Sequence, residues 1–216
     1  MKLYDKVKND KDINTYIVEA DHYLETIGYT EHGLGHVGIV AENAKRILLD
    51  NGASDDEIDL AMVACHLHDI GNSINRVDHA HSGAIMAFRL LDKMGVDASD
   101  IVKIIQAIGS HDEKSANCVS KISAALILAD KCDVRRSRVR CLEADFDIHD
   151  RVNYSVTYSK LELTENKYTL NLVIDQEVSA IMDYFEIFLE RMRLCQQACK
   201  YFDKEFGLVI NNLILL

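Results

Sequence analysis

Histidine and aspartate stand side by side in Ala64-Cys65-His66-Leu67-His68-Asp69-Ile70-Gly71, at the end of an apolar run that a glycine closes. Adjacent helical residues point about 100° apart, so a regular turn cannot aim both at one spot. At a helix C-terminus the chain is already unwinding, and His68 and Asp69 can then approach one ion from neighbouring directions. Imidazole with carboxylate suits Mn, Fe or Zn, and a carboxylate-rich site suits Mg. The plainer reading is a capped helix end with a buried histidine and a solvated aspartate. The other candidates tell against it, because His36, His79 or His81, His111 and Asp130 also fall at the ends of apolar helical segments. Helix ends gathered on one side of a bundle can point several ligands at one place.

The elements that must position these residues follow from apolar periodicity. Ile13, Tyr16, Ile17, Ala20, Leu24 and Ile27 predict a helix over residues 10–27, stopped by Gly28. After Glu31-His32-Gly33-Leu34-Gly35-His36, the stripe Val37, Val40, Ala44, Ile47, Leu48 predicts a second helix to about Asp50. Ser54 with Glu57 forms a capping box opening the helix that delivers His68-Asp69. Further helices are expected from about His79 to Gly95, from Asp97 to Ile108, and from Ile122 to Asp130. Near residue 150 the pattern changes. Val152, Tyr154, Val156 and Tyr158 alternate with polar residues, as do Tyr168, Leu170, Leu172 and Ile174, which predicts a β-hairpin turning at 165–167. A long helix over 175–205 and a final strand over 208–216 complete the reading. The expected fold is therefore mainly α, a helical domain over 1–150 with a small α+β appendage over 151–216.

Composition narrows the function. The chain has 216 residues, enough for a full core, and a net charge of −11. That charge argues against a nucleic-acid polymer as partner, because polyphosphates need a basic face. It leaves room for a small phosphorylated substrate. The six cysteines show no CxxC spacing, no apolar run approaches ~18 residues, and the N-terminus lacks an apolar leader. A soluble, cytoplasmic protein with reduced thiols and no membrane contact is expected. Proline is absent, so glycines and caps must set the helix ends.

The ordered residues His36, His68-Asp69 and Asp130 resemble the motif of the HD superfamily of metal-dependent phosphohydrolases, over roughly residues 30–135. Members with two metals add two histidines between the pair and the last aspartate. His79-Ala80-His81-Ser82-Gly83 is similar to the first such segment and selects His79, with His81 as rival; Ile108-Gly109-Ser110-His111-Asp112 is similar to the second. The resemblance implies a helical HD bundle and a first divalent ion on His36, His68, Asp69 and Asp130. It implies a second on His79 and His111, with Asp69 bridging; Mn, Fe, Co, Ni or Mg would serve. It also implies hydrolysis of a phosphomonoester or phosphodiester, of a small nucleotide or relative, by metal-activated hydroxide. Where many relatives carry a lysine after the His-Asp-x-Gly run, this chain has Asn72.

Other roles follow from position. His81, Asp112 and His32 are candidate general acids or bases, His32 also an extra ligand, although an exposed loop histidine is its plainer reading. Lys131, Arg135, Arg136, Arg138 and Arg140 form the densest basic run, and Lys131 and Arg135 stand nearest the site as phosphate contacts. A solvated face paired with Glu143, Asp145 and Asp147 is the alternative. Tyr154, Tyr158 and Tyr168 sit at core spacing and are expected to pack. The rival functions are a di-iron oxygenase on the same ligands and an idle sensor or scaffold. The appendage is expected to serve as a homodimer contact, a lid or an effector site.

Overall fold

The computed structural model describes residues 2–114, 116–141 and 146–216. A short helix α1 (Leu3–Lys8), which the sequence reading lacked, docks its N-terminal amides on Asp59: Leu3 N–H donates to Oδ2 at 2.8 Å and Tyr4 N–H to Oδ1 at 3.2 Å. Helix α2 (Lys11–Thr26) starts where the Asp10 side chain accepts the Ile13 amide, satisfying an otherwise unpaired donor. Helix α3 (Leu34–Asp50) buries the predicted stripe of Val37, Val40, Ala44, Ile47 and Leu48. The expected Ser54–Glu57 capping box opens α4 (Asp55–Leu67), with Ser54 N–H donating to Glu57 at 2.9 Å and Glu57 N–H to Ser54 Oγ at 3.3 Å. A 3₁₀ turn (Ile70–Ser73) leads to α5 (His79–Lys93), α6 (Ala98–Gly109) and α7 (Lys121–Lys131).

The C-terminal part departs from its alternating pattern in one place. Val152 and Tyr154 belong to a helix, α8 (Ile148–Ser155), not to a strand; the Asp147 side chain caps it by accepting the Asp150 amide at 2.8 Å. Strands β1 (Val156–Leu163) and β2 (Lys167–Ile174) then form the antiparallel hairpin. The long helix α9 (Ile181–Tyr201) starts later than periodicity suggested. Asp175 first folds the chain into a turn, its carbonyl accepting the Val178 and Ser179 amides, and Asp183 then caps Ala180. Strand β3 (Glu205–Ile210) lies parallel to β2, and β4 (Leu213–Ile214) folds back on it. The expected single last strand is broken at Asn211 and Asn212, both left-handed (φ 51° and 66°), as a two-residue hairpin turn requires.

The sheet order is β1-β2-β3-β4. One apolar cluster runs from Tyr4 and Val7 through α3, α4, α6 and α7 to the sheet and α9. Phe188, Met192, Cys195 and Cys199 of α9 belong to it, so the appendage packs on the helical part instead of hanging from it. The fold is a helical bundle with a small four-stranded sheet. None of the described helices is long and apolar enough to cross a membrane.

Candidate metal centre

His36 projects from the first turn of α3, His68 and Asp69 from the frayed end of α4, His79 from the start of α5, His111 from beyond α6, and Asp130 from the last turn of α7. All six are buried. Local sequence explains how the α4 and α5 ends come together. A side chain at Gly71 would lie 2.1 Å from the His79 carbonyl and 2.9 Å from Gly83 Cα. Only a glycine lets the turn after Asp69 lie against the first turn of α5, and that contact sets the distance from Asp69 to His79.

The histidines form two pairs. His36 Nε2 and His68 Nε2 are 3.3 Å apart, and His79 Nε2 and His111 Nε2 are 3.2 Å apart. Each ring is held from behind through Nδ1. His36 donates to Asp133 Oδ2 at 2.7 Å, His68 to the Cys65 carbonyl at 2.7 Å, His111 to the Ile108 carbonyl at 2.6 Å and His79 to the Arg76 carbonyl at 3.1 Å. An acceptor behind Nδ1 fixes the proton there and turns the Nε2 lone pair inward.

Asp69 faces both pairs with different oxygens. Oδ2 lies 3.1 Å from His68 Nε2 and 3.7 Å from His36 Nε2, while Oδ1 lies 3.4 Å from His79 Nε2 and 3.9 Å from His111 Nε2. Asp130 Oδ1 lies 3.3 Å from His36 Nε2 and 3.8 Å from His68 Nε2. Donor atoms of His36, His68 and Asp130 all fall within 4.8 Å of one another, and so do those of His68, Asp69 and His111.

Protonation decides whether these donors fit a cation. Burial would raise the Asp69 pKa, but His68 beside it, by charge and by hydrogen bond, holds it well below the usual range. Asp130 is likewise ionised, because Lys131, His36 and His68 outweigh its burial. Burial lowers the His68 pKa, and Asp69 with Asp130 more than offsets this. His79 and His111 are different. Burial lowers both, His111 further because His68 and Lys131 are near, so both rings are neutral. Their Nε2 atoms face each other at 3.2 Å, and the Arg76 guanidinium donates toward His79 Nε2 at 3.2 Å. Two neutral imidazoles beside an ionised carboxylate are a donor set that a divalent ion fits.

A family model described as HD domain matches residues 33–135. The segment that carries the cluster is thus similar to the HD domain. The chain is also similar to an uncharacterized protein of Methanocaldococcus jannaschii, at 27% identity over 190 residues that cover 76% of this chain and 71% of that one. A solved structure of a predicted HD superfamily hydrolase from an uncultured Thermotogales bacterium is 29% identical over 62% of this chain and 75% of that one, with a TM-score of 0.47.

Around the cluster the structure sorts the remaining candidates. Asp112 lines the small chamber above it, 3.9 Å from His79 Nε2. His81 points to solvent from the outer face of α5, away from the cluster. His32 is buried, not an exposed loop residue; its Nδ1 donates to the Thr30 carbonyl at 2.6 Å and its ring edge meets His36. The basic run splits. Lys131 reaches the chamber and pairs with Asp130 at 2.7 Å and Glu113 at 3.3 Å. Arg135 turns away to Asp133 at 2.8 Å and Glu31 at 3.1 Å, lining a separate groove with Arg136. Arg136 stacks on Tyr154, and Arg140 pairs with Asp21 and Glu25. Of the acidic partners expected for the run, Glu143 and Asp145 lie outside the described residues. Tyr168 packs as expected, its hydroxyl donating to Asp50, whereas Tyr158 is exposed.

Sequence reasoning missed several residues that shape the site. Asp133 holds His36 and is itself kept ionised, His36, Arg138 and Arg135 outweighing its burial. Asn72 donates to Asp69 Oδ1 at 3.0 Å and so orients the carboxylate. Arg76, Arg138 and Arg191 line the chamber with Lys131. The spacing of Asp133 three residues after Asp130 was a usable signal; nothing local marks Arg191.

Proposed function

We propose that this protein is a metal-dependent phosphohydrolase that cleaves a phosphomonoester or phosphodiester bond of a small, nucleotide-like substrate. The observation that carries the reading is the convergence of the His79 and His111 Nε2 atoms, 3.2 Å apart, on the open side of a second His/Asp group that shares Asp69. In this reading His36, His68, Asp69 and Asp130 would hold one divalent ion, and Asp69, His79 and His111 would hold another. Bound divalent ions supply Lewis acidity, acidifying a water and offsetting phosphoryl charge.

The chain's own residues do the rest. Asp133 and the carbonyls of Cys65, Ile108 and Arg76 keep the four rings aimed inward before any ligand arrives, so little reorganisation remains. Asn72 keeps Asp69 in its two-faced pose. Asp112 lies beside the His79–His111 pair and His32 beside the His36–His68 pair, each placed to take or give a proton at the substrate. Burial and the neighbouring Arg138 lower the His32 pKa, which leaves that ring neutral and able to accept. The cations over the cluster favour an anionic substrate.

Elemental analysis of freshly purified protein, together with phosphate release from a monoester and diester panel, tests this. About two equivalents of Mn, Fe, Co or Ni with turnover are expected. One equivalent with turnover would make His79 and His111 positioning residues. Tightly held iron without phosphate release would favour an oxygenase, and no metal would overturn the site.

A further inference from the structure

The chamber directly above the cluster is small, about 10 Å³, room for roughly one water. Beside it, sharing His32, Arg76, Arg138 and Arg191, opens a cavity of about 470 Å³. The two differ in origin. The floor belongs to the segment similar to the HD domain, whereas the outer wall of the larger cavity comes from α8 through His149 and Asn153 and from α9 through Ile187 and Phe188.

The four cations over the floor are not equivalent. Lys131 is committed to Asp130 and Glu113, and Arg138 is buried, donating to the carbonyls of Glu31 and Asp133. Arg76 makes no ion pair among the described residues; its guanidinium lies 5.3 Å over the Tyr29 ring, and its one contact to an oxygen is a long 3.4 Å to Asn72. Arg191 uses Nε on Glu113 at 3.1 Å and rests 4.6 Å over Phe188. Each is fixed in direction by an aromatic ring and has donors left for a planar or tetrahedral oxyanion. The space beyond them is too large for phosphate alone and matches a small-molecule pocket. Its apolar side, Ile27, Ile187 and Phe188, stands with a polar edge of His149 and Asn153, which suits a heteroaromatic ring that packs on its face and hydrogen-bonds at its rim.

We propose that α8 and α9 form the substrate pocket of this protein, binding a nucleoside monophosphate with Arg76 and Arg191 on the phosphoryl group and Ile187, Phe188, His149 and Asn153 around the base. The proposal rests on the phosphohydrolase reading and deepens it. It makes the C-terminal appendage a specificity element, with Arg191 the residue that joins it to the chemistry.

The test uses the metal-loaded full-length protein with a panel of nucleoside 5′-monophosphates and with methyl phosphate, in wild type, Ile187→Trp, Arg191→Gln and Arg191→Lys. The best nucleotide should exceed methyl phosphate about 100-fold in kcat/KM, because contacts remote from the phosphoryl group contribute to the transition state. Ile187→Trp should lower kcat/KM for the nucleotide at least about tenfold more than for methyl phosphate. Arg191→Gln should lower kcat/KM for both substrates about 10- to 100-fold and weaken inhibition by inorganic phosphate, with metal content unchanged and partial rescue by lysine. Nucleotides no better than methyl phosphate, or an Ile187→Trp loss equal for both, would overturn the pocket and leave the phosphohydrolase standing. If nothing is cleaved, the melting temperature of the metal-loaded protein decides. A rise with a nucleoside monophosphate that inorganic phosphate does not give would keep the pocket and sink the hydrolase, and no rise would sink the pocket too.

Discussion

The two histidine pairs are built from the same residue type at nearly the same separation, yet their surroundings differ. His36 and His68 are fully enclosed, His36 is held by a carboxylate, and two carboxylates, Asp69 and Asp130, face the pair. His79 and His111 are held only by backbone carbonyls, share Asp69, and have the Arg76 guanidinium 3.2 Å from His79 Nε2. A cation at the first pair would face Asp69 and Asp130, the latter paired with Lys131 at 2.7 Å; one at the second would share Asp69, with Asp112 farther off at 3.9 Å from His79 and the Arg76 guanidinium against that ring. At these distances in a partly buried site, one charge is worth several kcal/mol, so the first position should fill first and empty last. The difference teaches that the site is a deep anchor and an adjustable outer half.

Asp69→Ala removes the one residue common to both halves and carries the largest expected effect. Metal content should fall to about zero or one loosely held equivalent, and turnover should fall on the order of a thousandfold. Retention of both ions would mean that the two halves are independent, and the comparison would break there.

Asp133→Asn sharpens the comparison by touching only the deep half. The hydrogen bond behind His36 survives but loses its charge, and metal affinity there should fall about 10- to 100-fold, the scale seen when a histidine's supporting carboxylate is altered. The outer half has no such carboxylate, so titration should show its affinity changed by less than about threefold. Equal weakening of both steps would show that Asp133 acts through overall stability instead of through the His36 ring.

How much of this was legible beforehand follows the range of the interactions. The helices that carry His36, His68, His79, His111 and Asp130 were readable because apolar residues recur with the helical period and glycines or capping pairs such as Ser54–Glu57 mark their ends. The motif added that these ends converge. What failed was competition between local patterns: Val152 and Tyr154 alternate like a strand, but the Asp147 cap starts a helix that ends only at Ser155. Arg191 and Arg76 were invisible for another reason. Their roles depend on α9 packing beside α7 and on the turn after Asp69, contacts between segments far apart in the chain that no short window encodes. His32 was misjudged because burial in a loop is set by what covers the loop, here Arg138 and the His36 ring.

Gly71→Ala tests the distance between the halves. Its new methyl group would collide with the His79 carbonyl and with Gly83, both backbone, so the turn or α5 must move. Overpacking of this kind costs about 1–3 kcal/mol, and the shift should displace His79 from Asp69. The melting temperature should drop by several degrees, and the second metal step should weaken more than the first. Loss of stability with unchanged metal binding would show that the Gly71 contact serves the fold alone.

The smallest effect concerns a histidine outside both pairs. His66 lies two residues before His68, on the other side of α4, edge-on to Tyr4. Every site histidine has an acceptor behind Nδ1, whereas His66 Nδ1 is buried with no partner among the described residues. Burial, helped by Lys8 and His68, lowers its pKa from 6.5 to about 4. The unfolded chain therefore binds a proton between these values that the folded chain refuses. Above pH 6.5 the difference contributes nothing; as pH falls toward 4 the fold loses stability, by roughly 3 kcal/mol at the end of the window if the whole shift is realised. His66→Leu removes that titration while leaving the site histidines in place. Metal content and turnover should match wild type at pH 7.5, and the difference in unfolding free energy between variant and wild type should move in the variant's favour from pH 6.5 downward. A difference that stays flat with pH would mean that His66 is hydrated or partnered in solution, and its contrast with the anchored histidines would vanish.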